Sequence, residues 1–167
     1  MEVQAKAVPV TVADMNPLDP RQIWVLRIRL GIVLLVLLGA ALSIDMAIRQ
    51  EAPGLSGWLP GLVLMVGLTG LILVPGRRYR AWGYAEREDE LHIRHGLLTR
   101  VQTAVPFGRV QHIDVAQGPV ERRFGLARLI LHTAGTRGAS IPLPGLVQEQ
   151  AEQMRDRIRA KIQLDLA

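Results

Sequence analysis

Two long runs of apolar residues dominate the first half of the chain. Residues 30–44 contain no charged side chain, and neither do the 25 residues of 52–76. An α-helix needs about 20 apolar residues to cross the roughly 30 Å of hydrocarbon in a bilayer. The two runs therefore predict two transmembrane helices, at about residues 28–48 and 54–74.

The first run also has the length of the apolar core of a secretory signal peptide. Against cleavage, about 27 residues precede that core, including three prolines, and a second run of span length follows it. Arg29 and Asp45 lie near the ends of the first span, where a charged side chain reaches the headgroups at small cost. A hairpin of two uncleaved spans is therefore the preferred interpretation.

After residue 77 the apolar positions alternate over short segments instead of forming continuous runs. Alternation with period two, interrupted by Gly, Pro and acidic clusters, predicts β-strands joined by turns. We expect strands at about residues 80–85, 91–95, 101–105, 113–115, 129–131 and 140–143. Short strands at this spacing are typical of an antiparallel sandwich or barrel.

The pattern changes again after Gly145, where apolar residues recur at helical spacing. The resulting stripe consists of Val147, Ala151, Met154, Ile158 and Ile162. One short stripe is too small for a stable coiled coil. We therefore expect this helix to pack over an open face or end of the sheet.

Together these patterns predict a fold class and a domain organisation. The fold is a two-helix transmembrane hairpin followed by a β-rich (α+β) domain, in which antiparallel strands form a sandwich or partly open barrel capped by a C-terminal helix. We expect a flexible N-terminal tail over residues 1–22, the two spans within 23–76, and the β-rich domain over 77–167.

Charge is distributed as unevenly as hydrophobicity. The net charge of +5 arises entirely from residues 77–167, which hold 15 basic and 10 acidic side chains. Three arginines flank the start of the first span and three follow the second: Arg21, Arg27, Arg29, Arg77, Arg78 and Arg80. The connection between the spans contains a single basic residue, Arg49. Because basic flanks stay in the cytoplasm, we expect a multi-pass protein of the inner cell membrane with both termini cytoplasmic.

Several segments of the charged part resemble a known family. They are Gly96–Arg100, Val105–Asp114, Gln117–Ala127, His132–Gly135 and Leu143–Leu146. In order and spacing they resemble the bacterial membrane-anchored proteins of the YdbS type, which carry a domain similar to a pleckstrin-homology (PH) domain. The resemblance covers about residues 79–162, with a small departure at Phe107-Gly108. It implies a cytoplasmic PH-like domain over 77–167 and no enzymatic activity.

Candidate catalytic and metal-binding residues are few. The chain has no cysteine, which excludes a disulfide scaffold, a thiolate zinc site and a cysteine nucleophile. His92 and His95 lie three apart on a strand and so face opposite sides. His112 and Asp114 share a face, which suits a metal pair or a base with its orienting acid. The sequence places no third ligand and no nucleophile near them, so we interpret the two residues as a polar pair on the surface. We expect no catalytic residue, cofactor or metal.

The arginines are the stronger functional candidates. They form two predicted patches: Arg77, Arg78 and Arg80 at the membrane exit, and Arg109, Arg122 and Arg123 within the β-rich domain. Near an anionic leaflet each basic residue of the first patch gains about 1 kcal/mol. The second patch suits a partner or lipid, and for Arg122 and Arg123 the alternative is solvation or pairing with Glu121.

Two hypotheses follow for function. The first is a non-enzymatic binding or scaffold module that docks another membrane protein, for which the resemblance suggests a larger relative with several PH-like domains; a homo-oligomer is a further option. The second is a domain that senses anionic membrane lipids. An isoelectric point near 10.6 is typical of proteins that bind nucleic acid. Attraction of a membrane-anchored domain to an anionic leaflet also accounts for this charge, so we expect no nucleic-acid partner.

Overall fold

Two long, packed helices form the apolar part of the protein. The structure, a computed structural model, describes residues 14–51, 57–134 and 140–165. Helix α1 (Gln22–Glu51) and helix α2 (Trp58–Ala81) are both long and apolar enough to cross a membrane. They extend beyond the predicted spans, α1 at its start and α2 at its end, because the polar residues that flank the hydrocarbon continue the helices.

One glycine of α2, Gly67, packs directly against a side chain of α1. A side chain at Gly67 would overlap that of Leu34, whereas Gly39, Gly61 and Gly70 face open space. Of these small residues in the spans, Gly67 therefore serves the packing of the hairpin.

Asp45, the acidic residue of the first span, is buried and fully engaged. Its carboxylate accepts a hydrogen bond from the backbone N–H of Gly57 at 2.6 Å, and Arg49 lies 3.6 Å from its other oxygen. Gly57 precedes α2, so this carboxylate satisfies one of the free N–H groups at the start of that helix. The contact agrees with the predicted position of Asp45 near the end of the first span.

Residues 14–21 pack on the β-rich domain, so the prediction of a flexible tail over 1–22 is wrong for this part; residues 1–13 lie outside the described residues. Asn16 pairs with Tyr84 through two backbone hydrogen bonds, at 2.7 and 3.0 Å. Leu18 is only 2% exposed and belongs to the core, and its carbonyl accepts a hydrogen bond from the Tyr79 hydroxyl. Hydrophobic burial of Leu18 thus fixes the segment that leads into α1.

The β-rich domain consists of two antiparallel sheets of three strands each in the described part of the chain. The first sheet has β1 (Gly83–Glu86), β2 (Glu90–His95) and β3 (Val101–Pro106). The second has β4 (Val110–Ala116), β5 (Leu126–Thr133) and β6 (Ser140–Val147). This confirms the predicted sandwich and partly open arrangement, and no closed barrel forms.

Two details of the predicted strands are wrong. The first strand begins at Gly83 instead of residue 80, because α2 continues through Ala81. The last strand does not end at Pro144-Gly145 but runs to Val147, since Gly145 adopts a positive φ of 71° next to an irregularity in the pairing with β5. A glycine tolerates this conformation, so the strand bends there and continues.

Arg122 and Arg123 lie in a short helix, α3 (Pro119–Arg123), which follows β4. Pro119 stands at its beginning, where the missing N–H costs nothing. The helix contacts both α1 and β5. It therefore joins the membrane hairpin to the second sheet.

The C-terminal helix α4 (Gln148–Asp165) covers the sheets with its apolar stripe, as predicted. Ala151, Met154 and Ile158 are buried in the common core with Leu129 and Leu131 of β5. At the exposed edge of the interface, Arg157 forms two hydrogen bonds with the carboxylate of Glu86 on β1, at 2.8 and 3.3 Å. These bonds raise the pKa of the Arg157 guanidinium. Helix α4 thus contacts both sheets.

Candidate functional site

A basic pocket lies where α2 leaves the apolar region. Its volume is about 400 Å³, and four of its lining side chains are arginines: Arg77, Arg80, Arg94 and Arg100. The C-terminal part of α2 supplies the first two, β2 supplies Arg94, and the turn before β3 supplies Arg100. Four guanidinium groups around one cavity create a positive potential that favours an anion with several acceptor oxygens.

Arg94 is the innermost arginine of this basic pocket. Its Nε is buried and has no hydrogen-bond partner. A buried donor without an acceptor costs about 1–3 kcal/mol, more when it is charged. Because the Nε itself has almost no accessible surface, a ligand in the basic pocket meets Arg94 through the other atoms with which it lines the cavity.

Two leucines project from the turn between β2 and β3, beside the basic pocket. Leu97 is 47% exposed and Leu98 is 98% exposed, although both are large and apolar. The turn is fixed by Gly96, whose φ of 112° is readily adopted only by glycine. Exposed leucines between Arg94 and Arg100 form an apolar tip flanked by cations, which suits contact with a membrane interface.

The structure separates the arginines that the sequence grouped. Arg77 and Arg80 line the basic pocket, whereas Arg78 faces other cavities of the hairpin, which Arg29 also lines. Arg109 precedes β4 and the pair Arg122 and Arg123 follows it, so a seven-residue strand, about 20 Å long, lies between them. These three arginines are exposed but do not form one patch.

Sequence reasoning missed Arg94 and Arg100 as site residues. Arg94 belongs to a segment of alternating apolar and polar residues, and this pattern predicts an exposed side chain on the outer face of the sheet. Its two cross-strand partners are Gly83 and Gln102, which do not pair with its charge. The available signal was the order Arg94-His95-Gly96-Leu97-Leu98-Thr99-Arg100, a turn with two apolar residues between two arginines.

Glu121 does not pair with Arg122 or Arg123 but is the centre of a different cluster. It is 1% exposed, and its two carboxylate oxygens lie 3.0 Å from Arg29 of α1 and 3.0 Å from Arg128 of β5. The backbone N–H of Gly118 donates to the same carboxylate at 2.6 Å. We call Arg29, Glu121 and Arg128 the clamp, because they link the first membrane helix to the second sheet.

The histidines divide into two groups. His92 pairs with Glu90, and His95 stacks on Trp82 with ring centroids 5.0 Å apart, so these two residues bind different neighbours, as predicted. His112 and Asp114 meet a third side chain that sequence spacing does not reveal, His132 of β5. Within the described ranges, these three residues form a group of His and Asp side chains whose ligand atoms lie close enough together to hold a metal ion.

Two apolar helices, two small antiparallel sheets and a C-terminal helix define a membrane protein with a PH-like domain. The chain belongs to the bacterial PH domain family, whose sequence profile matches residues 25–162 and so includes both long helices. This confirms the resemblance to membrane proteins of the YdbS type with a PH-like domain.

Two curated proteins of Bacillus subtilis (strain 168) are similar to the chain. The UPF0699 transmembrane protein YdbS is 34% identical over 105 residues, which are 60% of this chain and 64% of that protein. The UPF0699 transmembrane protein YdbT is 27% identical over 100 residues, 59% of this chain and 20% of that protein. The aligned part thus spans less than two thirds of either relative. No solved structure matches the chain.

Proposed function

We propose that this protein is a membrane-anchored PH-like module that binds anionic phospholipid headgroups at the cytoplasmic leaflet through the basic pocket. The observation that carries the proposal is the group of four arginines around one cavity, of which Arg94 is only partly exposed. A lipid phosphate accepts hydrogen bonds from these guanidinium groups, which neutralise its charge.

The position of the basic pocket supports a lipid over a soluble anion. Arg77 and Arg80 belong to the end of the apolar helix α2, which supports a position of the cavity near the headgroups. Leu97 and Leu98 project beside it and gain free energy by leaving water for the interface.

The arginines that flank the hairpin also support a specific membrane and orientation for the protein. Basic flanks on both ends of the hairpin, with only Arg49 between the spans, favour an inner-membrane protein whose two termini face the cytoplasm. A reporter enzyme fused to the C-terminus and assayed on each side of the membrane tests this orientation. Activity on the outer side contradicts it.

Substitution of Arg94 tests the lipid proposal. The full chain in detergent is titrated with a fluorescent short-chain phosphatidylglycerol, and binding is followed by fluorescence anisotropy. We expect Arg94→Gln to weaken binding about tenfold or more, since it removes a charged hydrogen bond worth about 1.5–3 kcal/mol. Wild-type affinity should fall as salt rises.

Three comparisons make this experiment decisive. Arg109→Gln, which removes an exposed arginine outside the basic pocket, should leave the affinity unchanged. Phosphatidylcholine with the same chains should bind more weakly than phosphatidylglycerol, and inorganic phosphate should compete only at much higher concentration. Equal binding of both lipids, or wild-type affinity in Arg94→Gln, refutes the proposal.

Docking of another membrane protein is the second candidate. It is favoured by the free edge of β3, which pairs only with β2 in the described residues, because such an edge accepts an added strand. A larger relative with several PH-like domains, or a second copy of this chain, is the expected partner.

A photocrosslinking amino acid placed at Gln102, exposed on β3, tests docking in native membranes. We expect a crosslinked product of higher mass that identifies the partner. The same crosslinking group at Arg122 of α3, away from this edge, is the control and should not give that product. If every copy of the Gln102 variant stays monomeric after irradiation, docking at this edge is wrong.

A further inference from the structure

Two histidines face each other across the second sheet. His112 of β4 and His132 of β5 are direct partners in the antiparallel register, and both lie on the face away from the core. Their rings stack with centroids 4.0 Å apart and an angle of 14° between the ring planes. The pairing therefore holds two imidazoles side by side on a rigid element.

Asp114 completes a set of three potential metal ligands. It lies two residues beyond His112 and so shares its face of the strand. One oxygen of its carboxylate, Oδ2, lies 3.1 Å from Nε2 of His132 and 3.9 Å from Nε2 of His112. The ligand atoms of the three residues all lie within 4.8 Å of one another.

Ser140 of β6 provides an outer contact of the kind that metal-binding histidines make. It is the cross-strand partner of His132 on the other side, and its hydroxyl lies 3.0 Å from the second ring nitrogen, Nδ1. Such a bond fixes the ring so that Nε2 points at the ligand cluster. His132 is accordingly held from both sides, by Ser140 and by Asp114.

We propose that His112, Asp114 and His132 bind one first-row divalent ion, of the class of Zn²⁺. Two neutral imidazoles and one carboxylate favour such an ion over Mg²⁺ or Ca²⁺, which prefer oxygen ligands. Nε2 of His132 binds the ion through its lone pair, so the one ring proton of the neutral imidazole lies on Nδ1 and is donated in a hydrogen bond to the Ser140 hydroxyl. Water fills the remaining coordination positions.

The geometry requires only small side-chain movements. Zinc–nitrogen bonds of about 2.0–2.1 Å place tetrahedral ligand atoms about 3.3 Å apart, compared with a largest separation of 4.8 Å here. His112 and Asp114 are more than half exposed, so both can rotate towards His132 without disturbing the core. The site is separate from the clamp, because His132 lies four residues, about 13 Å, from Arg128 along β5.

Isothermal titration of the full chain with ZnCl₂ tests the proposal, using protein in detergent without a polyhistidine tag. We expect saturable binding of one ion per chain. His112→Ala and His132→Ala should each weaken it at least about tenfold, and Ser140→Ala by about 10–100-fold if its contact orients the ring. Unfolding temperatures without zinc establish that each variant is folded.

His95→Ala is the matched control, since His95 is an imidazole on the other sheet and stacks on Trp82. This variant should bind zinc like the wild type. The proposal is overturned if the wild type shows no saturable binding, or if His112→Ala and His132→Ala bind zinc as tightly as His95→Ala. Zinc should also raise the unfolding temperature of the wild type but not of His132→Ala.

Discussion

Glu121→Ala is expected to cost about 3 kcal/mol of stability, because removal of one partner from a buried ion pair typically costs about 3–5 kcal/mol. The lower end applies because Arg29 and Arg128 are 44% and 35% exposed and regain water when the carboxylate is lost. In a chain of this length the loss lowers the thermal midpoint by roughly 6–12 °C. Circular dichroism of the full chain in detergent measures it.

The large loss of stability is expected because the Glu121 carboxylate contacts three different segments of the protein. Its carboxylate accepts hydrogen bonds from Arg128 and the Gly118 N–H and forms an ion pair with Arg29, so one substitution removes all three contacts and leaves a backbone donor without its partner. Arg29 belongs to the first membrane helix. Loss of the clamp therefore also loosens the β-rich domain from the hairpin.

Two further variants separate this effect from a general loss of charge. Glu88→Ala removes an exposed glutamate from the turn between β1 and β2 and should change stability by less than about 0.5 kcal/mol. Glu121→Gln keeps the side-chain volume and one acceptor and should fall between the two. A midpoint of Glu121→Ala equal to that of Glu88→Ala would show that the clamp contributes nothing.

Gly96→Ala is expected to cost about 2–4 kcal/mol and to displace the turn between β2 and β3. A non-glycine residue held at an unfavourable backbone conformation costs about 1–3 kcal/mol, and Gly96 has a φ of 112°. An added Cβ would also overlap the backbone carbonyl oxygen of Thr99, which cannot rotate away as a side chain can. The turn must therefore rearrange.

Gly108→Ala is the matched control for this substitution. Gly108 is exposed, has no positive φ, and a Cβ added there meets nothing within 4 Å. Its replacement should be neutral or slightly stabilising, because alanine reduces the entropy of the unfolded chain. If both variants unfold at the same temperature, the conformation of Gly96 does not constrain the turn.

The same pair of variants also reports on the basic pocket. Arg94 and Arg100 flank the turn, so its displacement should weaken phosphatidylglycerol binding in Gly96→Ala but not in Gly108→Ala. A destabilised Gly96→Ala with unchanged lipid affinity would mean that the headgroup does not bind beside this turn. That outcome would count against the lipid proposal without affecting the zinc proposal.

Features set by local pattern were predictable from the sequence. Uninterrupted apolar runs identified both long helices, since span length follows from the thickness of the bilayer. Alternating residues identified the strands, and the apolar stripe of α4 identified its buried face, because side-chain direction repeats with a fixed period in each element. The ends were less accurate, as α2 shows by continuing through the arginines to Ala81.

Features that depend on contacts between distant segments were not predictable. The burial of Leu18 and Glu121, the placement of Arg94 beside Arg77, and the meeting of His112 with His132 each join residues from different elements. The sequence by itself determined two helices that are long and apolar enough to cross a membrane, followed by a basic, β-rich domain. Only the tertiary structure decided which charges lie together, because strand register and helix packing are set by burial of the whole core and not by neighbours along the chain.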